Sequence, residues 1–541
     1  MDKRNFLLFL IALSAAAVYL LGADAFAFPY LAFRTFLRMF GAYALSLAFS
    51  LGLGIFIAHN RRAFELVFPI LDILQSVPIL GFLPIAVIFI IDTIPLVGGE
   101  AATVFLIFTS MTWAVIFNVI EGVRSIPGDI RDVARLTKLS GVNYLFQVVF
   151  PAIYGPVVSG SITGWGGGWY FLVAGEYIAF GKGPPYILPG IGSFIAQSAY
   201  AGDILHSIIG IGVLSAMVLF MNMFVWRPLL SRAARFSYST TAGSADYVPA
   251  QDNLIIRALD AGYNRLKSFS VSFFRKTATN MMNAVAVKPS SYIEQRDSIT
   301  LYDMLTMGAV LAAFIAVLLA SGHDPGYIFT LGFFSGQTLV RILIAYLIAT
   351  AWTVSFAVFL GRNKKLIEPL MPVFDVAQSV PAISVFPIIV VFVIQALGND
   401  LGVQAASILL ILTGMQWYLL FNVIRAVQAI PGELIEVSGL LRLRTAERMW
   451  NVMLPAIFPT FILSSIQAIG GGWNATIVSE YIVYKDKVFF AEGLGYLLDD
   501  AATKGDLALL MLSVLTMVAI IIFFNKFVWR KALKRAELYK F

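Results

Sequence analysis

Two loops in this chain carry the same sparse pattern of chemistry-bearing residues. Asp132-Val133-Ala134 is followed by Pro151, and Glu436-Val437-Ser438 by Pro455, so each acid stands 19 residues before its proline. Pro127-Gly128 and Pro431-Gly432 open the loops and allow a short helix to start, placing Asp129, Asp132, Glu433 and Glu436 in its first turns, where carboxylates favour the helix dipole. A short helix with one apolar and one charged face is suited to seat in a groove on a partner. Gln75-Ser76-Val77-Pro78 and Gln378-Ser379-Val380-Pro381 form a second pair, with Pro84 and Pro387 six residues beyond each proline. A proline inside a helix frees a carbonyl and kinks the axis, and the neighbouring Gln and Ser can satisfy the freed group or line a gate. Other chemistries lack their residues. The three histidines, His59, His206 and His323, are far apart, and cysteine is absent, so thiolate metal sites and disulfides are excluded. Gly181-Lys182 is followed by Gly183, which does not make a phosphate-binding Gly-x-x-x-x-Gly-Lys-Ser/Thr loop.

The elements that must hold these residues are membrane spans. Hydrophobic residues make up 59% of the 541 and charged residues 13%, and the apolar residues gather in runs long enough to cross a bilayer. About twelve spans are expected, near 5–22, 36–58, 66–91, 101–120, 150–180 and 204–226, then 303–321, 338–360, 366–396, 404–424, 453–483 and 506–528. The fold class is therefore an all-α integral membrane protein. The fifth span of each set is long and glycine-rich, and it is expected to bend or break where it faces protein or water.

Despite the net charge of +7, Lys and Arg do not cluster on one folded domain, which argues against nucleic acid as a partner. They fall instead in every second loop: Arg61 and Arg62; Arg124, Arg131, Arg135 and Lys138; Arg227, Arg232 and Arg235; and again Arg362 to Lys365, Arg425 to Arg448, and Arg530 to Arg535. The positive-inside rule makes these loops and both termini cytoplasmic. Ala23-Asp24-Ala25 leaves open a cleavable signal peptide at the N-terminus. Residues 236–300 read as a cytoplasmic linker between units 1–235 and 301–541, and Leu254–Phe274 within it is either a membrane-surface helix touching lipid or a plain tether.

The two units are copies. Gln75 and Gln378 are 303 apart, while Phe117-Asn118-Val119-Ile120, Gly166-Gly167-Gly168-Trp169 and Glu176-Tyr177-Ile178 all return 304 residues later. Gly202-Asp203 and Val225-Trp226-Arg227 return at 303. A register this constant marks an internal duplication. Six spans per copy set both copies in the same direction, around one pathway, with a two-fold-like platform of cytoplasmic loops.

With these residues in place, each copy resembles the type I membrane subunit of a binding-protein-dependent ABC importer, in the group handling nitrate, sulfonate, taurine and bicarbonate. The family's loop after the fourth span reads Glu-Ala-Ala, then Gly six residues after the Glu and Pro nineteen after it. Asp132, Ala134 and Pro151, and Glu436, Ser438 and Pro455, fit that pattern, whereas Lys138 and Arg442 stand at the glycine positions. Ser140-Gly141 offers a turn in the first copy, and the second has no glycine nearby. The resemblance implies that these loops receive the stroke of a separate ABC ATPase dimer, which binds ATP and Mg, and that an extracytoplasmic binding protein delivers the substrate. This chain is then a translocation pathway in the cell inner membrane rather than an enzyme, with nitrate, sulfonate, bicarbonate and other small anions open as cargo.

Candidate pathway residues are Gln75, Ser76, Pro78, Gly167 and Trp169, with their copies Gln378, Ser379, Pro381, Gly471 and Trp473. The glycine triplets are read as hinges or unwound turns with the Trp closing beside them. Arg38 and Arg341, in the second spans, are expected to snorkel to the interface or anchor their helices, or else to attract an anion at the outer mouth, and Glu176 and Glu480 to serve helix packing or docking. An ion-coupled secondary transporter is the main rival reading, although it would normally show charges at mid-membrane and inverted repeats. A membrane enzyme would need clustered His, Asp or Glu, which this chain does not offer.

Overall fold

A computed structural model describes residues 10–15, 18–20, 26–76, 79, 89–91, 93–94, 97–139, 141–178, 186–233, 301–322, 326–379, 389, 392–484 and 487–539. Pro78, Pro84, Pro381 and Pro387, the linker 236–300 and Ala23-Asp24-Ala25 lie outside the described residues, as do the side chains of Ser76 and Ser379. The first repeat contains α1 (Phe28–His59), α2 (Arg61–Ser76), α3 (Gly98–Arg124), α4 (Gly128–Leu136), α5 (Phe150–Glu176), α6 (Ile191–Ala201) and α7 (Ile204–Met221). The second contains α8 (Leu301–Ser321), α9 (Tyr327–Leu360), α10 (Lys364–Ser379), α11 (Asn399–Ala429), α12 (Gly432–Leu440), α13 (Leu454–Ser479), α14 (Leu494–Lys504) and α15 (Leu507–Phe524). Small antiparallel hairpins, β1 (Tyr177–Ile178) with β2 (Tyr186–Ile187) and β3 (Tyr481–Tyr484) with β4 (Lys487–Phe490), follow α5 and α13.

Among the described residues, eight helices are long and apolar enough to cross a membrane. They contain α1, α3, α5 and α7 and their counterparts α9, α11, α13 and α15. Helix α8 coincides with the span expected at 303–321, and α2 and α10 are the described beginnings of the third spans.

The duplication extends to irregular geometry. A π-helical turn precedes α5 at Leu145–Val149 and α13 at Met449–Met453, and another follows α7 at Asn222–Trp226 and α15 at Asn525–Trp529. The repeated Gly-Asp pair has a structural explanation. Gly202 and Gly505 close α6 and α14 in the left-handed conformation (φ 73° and 74°), and Asp203 and Asp506 then cap α7 and α15 through the amides of His206 and Leu509. A left-handed turn followed directly by a helix start calls for Gly and then Asp.

Each repeat is cored by its own fourth and fifth spans, α3 against α5 and α11 against α13. The repeats interlock reciprocally. Helix α2 packs on α8 and α15 of the second repeat, and α10 packs on α5 and α7 of the first. Because α7 and α15 are equivalent, the α2–α15 and α10–α7 contacts are the two-fold images expected of an isologous arrangement.

Candidate functional site

The short helices α4 and α12 begin after Pro127 and Pro431, with Asp129 and Glu433 in their first turns. Both end in the same hydrogen-bonded device. The Leu139 amide donates to Ala134 O at 2.9 Å and the Lys138 amide to Arg135 O at 3.0 Å; in the second copy Leu443 donates to Ser438 O at 3.1 Å and Arg442 to Gly439 O at 2.9 Å. This is a Schellman motif, whose terminating residue must be left-handed and is usually glycine. Lys138 and Arg442 occupy that place at φ 53° and 50°, and they are the two non-glycine residues with positive φ among the described residues. The turn is thus made by Lys138 and Arg442 themselves, and it needs neither Ser140-Gly141 nor a second-copy glycine. Each basic residue bears a cost of about 1–2 kcal/mol that glycine would avoid.

The small third residue of the pattern is explained by burial. Ala134 and Ser438 are each 1% exposed on the inner side of their helices, and the Ser438 hydroxyl is turned onto Ile435 O at 2.6 Å. The outer side presents Val133 and Leu136, 58% and 82% exposed, and Val437 and Leu440, 50% and 82% exposed. Asp132 and Glu436 are exposed beside them, and Asp132 pairs with Arg135 at 3.1 Å. Each loop therefore offers an apolar tip, an acidic first half and a basic end.

Away from these loops, charged residues form nodes around a buried arginine–glutamate pair in each repeat. Arg38 binds Glu176 at 2.7 Å and Glu100 at 2.6 Å, and Arg34 also pairs with Glu100. The Thr35 hydroxyl and the Gly192 amide donate to Glu176 at 2.9 and 2.7 Å. In the second repeat Arg341 binds Glu480 at 2.7 Å and Gln404 Oε1 at 2.7 Å, with Thr338 and the Gly495 amide completing the Glu480 shell. Arg38 and Arg341 are only 3% and 2% exposed. Of the roles expected for these arginines, helix anchoring holds and snorkelling or anion attraction does not: each is neutralised by a carboxylate and ties its second span to the end of the fifth that carries Glu176 or Glu480. Glu176 and Glu480 do serve packing, and they also anchor the starts of α6 and α14.

The fifth spans are likewise corrected. Helices α5 and α13 run unbroken through Gly166–Gly168 and Gly470–Gly472, so these triplets are not unwound turns. Small residues here permit close helix crossing, since a Cβ on Gly160 or Gly164 would stand 2.6 Å from Ala114 O or 2.9 Å from Met111 O. A Cβ on Gly471 would strike Gly414 O, whereas one on Gly167 would enter open space. Trp169 and Trp473 are 1% and 2% exposed, Trp169 in an apolar core of the first repeat and Trp473 in one that also takes Ile79, Ala102, Leu106 and Phe171 from the first repeat, rather than closing over an opening.

Of the remaining candidates, Gln75 and Gln378 are half-buried at the ends of α2 and α10. A residue missed in the sequence marks this level. Asn474, just after Trp473, accepts the Ile79 amide of the other repeat at 2.7 Å, close to the proline-interrupted stretch. Its counterpart, Tyr170, buries a hydroxyl that meets no hydrogen-bond partner among the described residues. The departure of Asn474 from its counterpart, next to a repeated Gly-Gly-Gly-Trp, was the available signal.

Residues 50–234 and 353–529 each match the family described as binding-protein-dependent transport system inner membrane component. The chain is 28% identical over 189 residues to the nitrate import permease protein of Synechocystis sp., covering 34% of this chain and 64% of that relative. It is 30% identical over 191 residues to the bicarbonate transport system permease protein of Synechococcus elongatus, covering 35% and 63%. The taurine transport system permease protein of Escherichia coli is 27% identical over 172 residues, covering 32% and 58%. Each alignment thus spans less than two thirds of the relative and about one third of this chain, which is the extent of a single repeat.

Proposed function

Because the chain belongs to the family of binding-protein-dependent transport system inner membrane components, we propose that it supplies both halves of the membrane pathway of an ATP-driven importer for a small anion. A separate ATPase dimer, holding ATP and Mg, docks on α4 and α12 from the cytoplasm, and an extracytoplasmic binding protein delivers the cargo to the opposite ends of the spans. The chain itself catalyses no bond change. Both termini lie in the cytoplasm of a multi-pass inner-membrane protein, and alternating access comes from the ATPase stroke transmitted through the two short helices.

The observation that carries this reading is the duplicated loop device: an exposed apolar tip, a buried small residue and a left-handed basic terminus, occurring twice in a two-fold arrangement. A partner with two equivalent grooves is the natural occupant. The anionic cargo is supported by the relatives, which are named for nitrate, bicarbonate and taurine. In this reading Gln75, Ser76, Pro78 and Gly167, with Gln378, Ser379 and Pro381, border the pathway, while Trp169, Gly471 and Trp473 hold its walls in place from behind.

The test is reconstitution with an ATPase and a binding protein. Reversing Asp132 and Glu436 to Lys should abolish substrate-stimulated ATP hydrolysis while folding and insertion persist, because charge matching at the docking helices is lost. Normal coupling in that double variant would remove the loops from the mechanism. Uptake driven by an ion gradient without ATP would establish the secondary-transporter alternative.

A further inference from the structure

Lys138 and Arg442 hold a backbone conformation that glycine adopts freely, and they do so at equivalent positions of both docking helices. Both side chains are exposed, and neither makes a hydrogen bond or ion pair among the described residues. A strained, exposed, unpaired base in one copy is unremarkable. Its recurrence at a turn that favours glycine, when Gly202 and Gly505 fill the comparable left-handed turns of both copies, points to something that the side chain returns and the isolated chain does not display. Each base also sits beside the most exposed apolar side chain of its helix, Leu136 or Leu440, both 82% exposed.

We propose that Lys138 and Arg442 are docking cations that meet carboxylates on the rim of the ATPase groove, while Leu136 and Leu440 fill its apolar floor. The inference rests on the functional reading above and names the surface that the partner must present: two equivalent sockets, each with an apolar base and an acidic edge at the end that receives the C-terminus of the short helix. Helix termini of this polarity favour a cation, which places the base where it strengthens the helix before docking and binds the rim after it. Anionic lipid headgroups are the competing occupant for an exposed base. They are disfavoured because α12 exposes Glu433 and Glu436 with no base along the helix, which a negatively charged surface would repel, while α4 balances Asp129 and Asp132 with Arg131 and Arg135. Membrane attraction also has no need of a base in this one strained register.

Association is measured with the full chain in nanodiscs and the ATPase subunit that restores substrate-stimulated hydrolysis to the wild-type chain. If no ATPase does so, the functional reading fails before this inference is reached. The paired variant Lys138→Gly/Arg442→Gly should fold with an unchanged or raised thermal midpoint, since glycine suits both turns. It should bind the ATPase about tenfold more weakly, two rim ion pairs of roughly 0.7 kcal/mol each having been lost. Its affinity should also vary less with salt than that of the wild type. Lys138→Ala/Arg442→Ala, which keeps the strain and removes the cations, should lose the same affinity, and Lys138→Glu/Arg442→Glu should lose more. Binding by the glycine and alanine pairs within twofold of wild type, with the same salt dependence, would overturn the proposal. So would an affinity loss seen in phosphatidylglycerol nanodiscs and absent in phosphatidylcholine ones, which would assign the bases to lipid.

Discussion

The two repeats share a skeleton and differ in the chemistry fastened to it. In the first, the node holds the buried Arg38 and Glu176 and also Arg34 and Glu100, whose side chains are each 34% exposed. In the second, Gln337 and Gln404 stand where Arg34 and Glu100 would be, leaving Arg341 and Glu480. Two charges of opposite sign are exchanged together for two amides, so each node has no formal net charge. Buried charges are tolerated when paired and are costly when orphaned. Divergence between the copies has therefore kept each node neutral and its buried Arg–Glu pair intact, while the turns and caps that set backbone direction have stayed fixed.

The largest expected effect separates the two nodes. Glu480→Ala leaves Arg341 buried with only neutral partners and should cost about 3–5 kcal/mol, seen as a steep loss of folded protein on heating in detergent. Glu176→Ala leaves Arg38 paired with Glu100, so its loss should be smaller by about 1–2 kcal/mol. Equal losses would mean that Glu100 does not share the load of Arg38.

A middle-sized effect separates the glycine triplets. Gly471→Val drives a side chain into the Gly414 carbonyl and should lower stability by about 1–3 kcal/mol through overpacking. Gly167→Val meets open space and should leave stability within about 0.5 kcal/mol of wild type while slowing transport, if its face borders the pathway. A destabilised Gly167→Val with normal transport would reverse that assignment. Smallest is the contrast between Asn474 and Tyr170. Asn474→Ala removes an acceptor of the Ile79 amide and should cost about 1 kcal/mol, whereas Tyr170→Phe removes a hydroxyl without a partner among the described residues and should be neutral or slightly stabilising in the same melting assay.

Much of this organisation could be read from the residues. Apolar runs located the spans because a bilayer sets a minimum length, and the register of 303 to 304 paired the repeats before any geometry was known. The loop pattern located α4 and α12, since proline, acid and small residue each have a local reason to be there. The glycine triplets were misread because three glycines disfavour a helix in water. Within packed spans the backbone has no competing solvent, and Gly160, Gly164 and Gly471 allow neighbouring helices to touch. The left-handed turns at Lys138 and Arg442 were signalled only by the glycine that the family pattern has at those positions, since neither residue type itself advertises positive φ. The ion nodes were hidden because Arg38 and Glu176 lie 138 residues apart, although both signs recurring in otherwise apolar spans of both copies was a clue.

The central claim is that both copies point the same way and present their short helices to the cytoplasmic ATPase. The chain has no cysteine, so Arg135→Cys and Arg444→Cys, introduced singly, can be probed in sealed vesicles of known sidedness with a membrane-impermeant maleimide. Both should react only from the cytoplasmic side. Labelling of the two positions from opposite sides would make the repeats inverted, and it would contradict the importer account.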